Sequence, residues 1–144
     1  MIGFLIALLS GTLMSIQGIF NTNVTKTTSI WVASTFVQLL ALIVCVGIWA
    51  VADRTSFALL LKVEPKYMLI GGAIGAAITY TVIRSVALLG PAKSAMLIVI
   101  AQILVSYIIE LIGWFQVDKQ PFEWRKVIGL FIAIAGIVLF KYEK

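Results

Sequence analysis

Histidine is absent from the 144 residues, and cysteine occurs once, as Cys45. That leaves no imidazole for general-base work, no Cys/His cluster for a metal, and no second thiol for a disulfide within the chain. Charge is scarce as well, at 12% of residues against 62% hydrophobic. A chain of 15.7 kDa has no interior large enough to hide that much apolar surface from water. A soluble domain is therefore excluded, and a bilayer is the expected solvent. No nucleophile–base pair is visible, so neither an enzyme nor a catalytic residue, cofactor or metal site is expected. The formal charge is +5. Its Lys and Arg residues fall between apolar runs, however, where they mark topology and not a nucleic-acid surface.

Five stretches approach the 20 or so mostly apolar residues that a spanning helix needs, at about 2–22, 30–52, 67–89, 92–114 and 124–142. The expected fold is all-α and integral to the membrane, a single five-helix domain over residues 1–144. The fifth stretch holds fourteen uncharged residues, 127–140, and reaches roughly 28 Å only if Arg125, Lys126 and Lys141 snorkel. Between the third and fourth, Gly90-Pro91 closes one helix and opens the next. Residues 56–61 suggest an extra turn at the interface. Tyr67, Trp114, Trp124 and Tyr142 lie at span ends, as an aromatic belt requires. The first apolar segment lacks a basic leader and is long enough to span, so no cleavable signal peptide is expected.

Five spans put the two termini on opposite sides. Arg54, Lys62, Lys66, Lys119, Arg125 and Lys126 fall on the N-terminal side. Lys26, Lys93, Lys141, Lys144 and a snorkelling Arg84 fall on the other. Six against five gives the positive-inside rule almost nothing to act on. The balance admits a weakly oriented protein with a cytoplasmic N-terminus. The reading it favours is dual topology, in which copies insert both ways and pair antiparallel, as an inverted-repeat transporter needs when each half is a separate chain.

Small and polar residues inside the spans carry the rest. Gly71, Gly72 and Gly75 open the third helix, and Gly129, Ala133 and Gly136 share a face of the fifth; such stripes let helices approach closely in lipid. Ser10, Gln17 and Asn21 share a face of the first helix, with Met14 between. Gln102, Ser106 and Glu110, at i, i+4 and i+8, form one stripe on the fourth. Tyr80 and Arg84 share a stripe of the third. Such groups either bond helices together or line a water-accessible substrate pathway, to which we assign Gln17, Asn21, Tyr80, Gln102 and Ser106. Glu110 is either an interfacial anchor or an intramembrane acid that exchanges a proton for a cationic substrate, and Arg84 either snorkels or gates. Their depths place them on opposite sides of one protomer but at similar levels in an antiparallel pair, where they could meet across the dimer. Trp31, Trp49 and Tyr107 could hold a cation by a ring face.

Ser15-Ile16-Gln17-Gly18 with Asn21, the Gly71-Gly72 and Gly75 opening, Leu89-Gly90, Gln102, the run from Glu110 through Gly113-Trp114-Phe115, and the Gly129 to Gly136 stretch follow one another in a familiar order. Together they resemble the drug/metabolite transporter superfamily, and specifically the short five-helix inner-membrane exporters of the YdcZ type. The resemblance implies a multi-pass half-transporter of the bacterial inner membrane. Its partners would be a small-molecule substrate, membrane lipid and a second copy or paralogue, forming a ten-helix antiparallel dimer that works by alternating access. The Gly-rich last helix is similar to that of the small multidrug resistance proteins, where it supports the dimer. Those relatives carry an essential acid in their first helix, where this chain has Gln17 and Asn21. The sequence thus points to a secondary exporter of a small organic metabolite or cation, against a dual-topology ion channel or a non-transporting membrane subunit.

Overall fold

The computed structural model describes residues 1–141, Lys141 by its backbone alone; Tyr142 and Lys144 lie outside the described residues. The described chain is helical, with α1 over Ile2–Val24, α2 over Ile30–Ile48, α3 over Gly71–Leu89, α4 over Pro91–Ile112 and α5 over Trp124–Lys141. Four segments are long and apolar enough to cross a membrane: Ile2–Val24, Ile30–Asp53, Lys66–Leu89 and Pro91–Ile112. With 18 residues, α5 is about as apolar as α3 but carries three charged residues, Arg125, Lys126 and Lys141. Ala33 and Ile83 are the buried apolar side chains among the described residues, while Phe4, Leu42, Leu88 and Phe131 are each more than half exposed. An apolar surface with so little core is stable only where hydrocarbon solvates it.

The chain divides into two compact units, Met1–Leu88 and Leu89–Lys144. In the first, threonines close α1. Thr25 Oγ1 donates to the Thr22 carbonyl at 2.7 Å and Thr28 Oγ1 to that of Val24 at 2.8 Å, satisfying acceptors the helix end leaves open. Ser29 then caps α2, its hydroxyl accepting from Val32 N–H at 3.2 Å. The α-helix of α2 gives way at Ile48 to a π-helical turn, Trp49–Asp53, which ends on Arg54 in the left-handed region at φ 56°. Two bonds hold that ending: Arg54 Nε donates to the Ala50 carbonyl at 2.7 Å and Trp49 Nε1 to that of Thr55 at 2.9 Å. The expected interfacial turn is a 3₁₀ segment, Phe57–Lys62, and a second, Lys66–Ile70, leads into α3.

Inside this unit α1 meets α3 at Gly18. A Cβ added there would lie 3.2 Å from Val82 Cγ1 and 3.7 Å from a methyl of Val86. The α2–α3 contact is polar and aromatic: Gln38 Nε2 donates to Thr79 Oγ1 at 3.4 Å, and the Trp31 and Tyr80 rings stack with centroids 4.9 Å apart.

Near the start of the second unit Gly90 caps α4 at φ 81° ahead of Pro91. Proline's fixed φ and missing N–H suit the first helical position. At the other end Gly113 takes φ 78°, and a Cβ there would meet Lys119 Cβ at 3.2 Å, so glycine is needed for both its backbone and its lack of a side chain. The loop turns back under α4, where Gln120 N–H donates to the Glu110 carbonyl at 2.9 Å.

Gly18 supplies the stability test for this architecture. Gly18→Leu is expected to lower unfolding stability by about 1–3 kcal/mol through overpacking against Val82 and Val86. Gly18→Ala should be tolerated far better. Thermal or denaturant unfolding of the purified protein in detergent compares the two.

Candidate functional site

The polar stripe of α4 faces α5. Gln102, Ser106 and Glu110 line a groove of about 470 Å³ with Lys126, Gly129 and Ala133 opposite. The floor is shaped by sequence: glycine at 129 and alanine at 133 keep α5 thin where it passes α4, and space opens beside them. Gly129 has no neighbour within 4 Å of where a Cβ would stand. Gln102 and Ser106 are exposed and Glu110 half-buried.

One end of the groove carries charge. Lys126 Nζ lies 3.7 Å from Glu110 Oε2 and 3.4 Å from Glu123 Oε1, and 5.8 Å above the centre of the Tyr107 ring. The three side chains are 40–47% exposed, so each ion pair contributes at most about 1 kcal/mol to stability. The helix dipoles act in both senses here. Glu123 immediately precedes α5 and Lys126 stands by the C-terminus of α4, each near an end of opposite sign. Lys126 also lies in the first turn of α5, however, and Glu110 in the last turn of α4, near ends of like sign. Tyr107 fixes the junction: its hydroxyl accepts from Glu123 N–H at 3.2 Å and donates to the Glu123 carbonyl at 3.4 Å.

The remaining expected site residues belong to the first unit. Gln17 is exposed and makes no side-chain hydrogen bond among the described residues, whereas Asn21, one turn on, is 7% exposed and buried. Tyr80 is half-buried under Trp31. Arg84 is exposed, with no partner among the described residues. Gly71, Gly72, Gly75 and Gly136 have open space where a Cβ would project, so their small faces meet no neighbour at that distance.

The structure thus brings Gln102, Ser106, Glu110, Gly129 and Ala133 together. Periodicity on one helix did not reveal that Lys126 is the ion partner of Glu110, since that depends on which helix packs beside α4. Gln38, Ser34 and Gly18 were likewise not singled out as contact residues. Ser34 is buried on α2 with a hydroxyl that finds no partner among the described residues. A serine beside alanine in an apolar run gives no sign of that.

A family model described as "Putative inner membrane exporter, YdcZ" matches residues 2–139, nearly the whole chain. No curated protein and no solved structure matches it.

The Tyr107 clamp has a direct test. Tyr107→Phe keeps the ring but removes the hydroxyl that serves Glu123 twice, and should cost about 1 kcal/mol of unfolding stability. Amide hydrogen exchange at the start of α5 should quicken in the same variant.

Proposed function

The chain belongs to the YdcZ inner-membrane exporter family, and from that premise we propose that it is a secondary active transporter of the bacterial inner membrane, exporting a small organic metabolite or cation by alternating access. The observation that carries this reading is the α4–α5 groove. It aligns an amide, a hydroxyl and a carboxylate along a helix whose other residues beyond Ser94, Tyr107 apart, are apolar. Polar groups at such positions are costly in lipid unless they face a cavity or a partner, so a substrate pathway accounts for all three at once. The groove's volume suits a small organic molecule.

In this proposal α5 is the fifth span, and the functional unit is an antiparallel dimer of ten helices, with a second copy or a paralogue as partner. Two features support it. The basic residues are nearly even across the two sides. The open glycine faces at Gly71, Gly72, Gly75 and Gly136 leave room for another helix to approach closely. Gln17, Asn21 and Tyr80 are the pathway residues proposed for the first unit, and Arg84 would lie near the level of the partner's Glu110.

Two experiments test this. In proteoliposomes, electrogenic currents evoked by panels of organic cations and anions should fall at least about tenfold in Glu110→Gln, as expected when an interaction of about 1.4 kcal/mol is lost in the rate-limiting state. Currents equal to wild type would move the site to Gln17, Asn21 and Gln102. For topology, a single cysteine placed in the loop over residues 54–66, with Cys45 replaced by Ser, should label from both faces of the membrane. Labelling from one face alone would reject dual insertion.

A further inference from the structure

Glu110 is the least satisfied charge in the groove. Its carboxylate receives no hydrogen bond among the described residues, and its one ion contact, to Lys126 at 3.7 Å, is the longer of the two that Lys126 makes. Lys126 is drawn aside. Glu123 holds it at 3.4 Å and the Tyr107 ring lies beneath it at 5.8 Å, so the ammonium has a second resting place that does not involve Glu110. The two carboxylates and one ammonium sum to a single net negative charge. Lys126 cannot neutralise both carboxylates at once, which leaves a place for a second cation on the side of Glu110 that faces the groove.

We propose that Lys126 is a tethered stand-in for the substrate, and that the substrate is a primary amine with an apolar body. This deepens the reading of the groove as a substrate pathway and rests on it. When the amine arrives, its ammonium takes the Glu110 carboxylate, while Lys126 withdraws onto Glu123 and the face of Tyr107. The chemistry of the stand-in sets the chemistry of the ligand. The position already accepts a compact –NH₃⁺ with three donors, which a planar guanidinium does not reproduce. Beyond the carboxylate, Ile103, Leu130 and Ala133 offer apolar contact, and Gln102 and Ser106 offer two polar groups. Lys126 is thereby a specificity-determining residue. By competing for Glu110 it sets how strongly an amine must bind, and Glu123 sets how readily Lys126 lets go.

The test uses the full-length protein in lipid nanodiscs, with 2-phenylethylammonium as the probe and equilibrium binding as the readout. Lys126→Gln removes the competitor and should tighten binding about fivefold; Glu123→Gln removes the resting place and should weaken it by a similar factor. Plain electrostatics predicts those same two signs, so the deciding measurement is the double variant. If Glu123 acts through Lys126, then Glu123→Gln in the Lys126→Gln background changes affinity less than twofold. Additive effects would overturn the proposal, as would failure of the amine to bind both wild type and Lys126→Gln. Glu110→Gln should abolish binding in either background. Additivity with Glu110-dependent flux intact would reject the role of Lys126 alone, whereas absence of any substrate-evoked flux in wild type would reject the transporter reading itself.

Discussion

In hydrocarbon no water competes for backbone N–H and C=O groups, so every such group must be satisfied by the chain, and the helix is the local way to do it. That constraint governs this molecule more than any packing contact. Its apolar side chains point outward along most of each helix, and Ala33 and Ile83 are the buried apolar residues among those described. The segments between helices obey the same demand. Thr25 and Thr28 supply donors to the last carbonyls of α1, Ser29 supplies an acceptor to α2, and Gly113 turns the chain so that Gln120 can reach the Glu110 carbonyl. Backbone groups freed where α2 changes to a π-helical turn are met by Arg54 and Trp49.

Against that apolar background each polar side chain becomes conspicuous, and the two units use theirs differently. In Met1–Leu88 Thr12, Ser15, Thr22 and Thr81 bond back to their own helices, while Gln38 bonds Thr79 and Trp31 stacks on Tyr80 to hold α2 to α3. In Leu89–Lys144 polar groups surround space. Glycine and alanine at 129 and 133 replace the bulk that would otherwise fill the gap between α4 and α5, and the stripe from Gln102 to Glu110 lines what remains. The same residue types thus act as adhesive in one unit and as cavity lining in the other, according to whether the facing helix offers a partner or a void.

How much of this was legible in the sequence follows from the range of each signal. Helix periodicity is local, so the Gln102, Ser106 and Glu110 stripe, the Gly90-Pro91 junction and the four helices long and apolar enough to span could be read directly. Span ends were less exact: α1 continues to Val24, and α4 stops at Ile112 because Gly113 leaves helical φ. Contacts between helices have no local signature. The partnership of Glu110 with Lys126 joins residues 16 apart through a loop whose path depends on Gly113 and Tyr107, and the sequence marks Lys126 only as a charge near a span end. Gly18 was hidden for a related reason. The paired glycines of α3 form the stronger pattern, yet it is the single Gly18 that meets Val82.

Tyr107 has a mechanical consequence. One hydroxyl bonds both the N–H and the carbonyl of Glu123, and it does so at one point near the end of both helices. Sliding α5 by a single residue, about 1.5 Å, would break both bonds together, whereas tilting about that point leaves them nearly intact. The hydroxyl therefore behaves as a hinge pin. Angular motion of α5 hardly changes the gap beside Glu110 and Lys126, but it widens or narrows the far end by Gln102 and Ala133. For any such tilt the charged end of the groove would be the fixed jamb, and the amide end the free edge of the door.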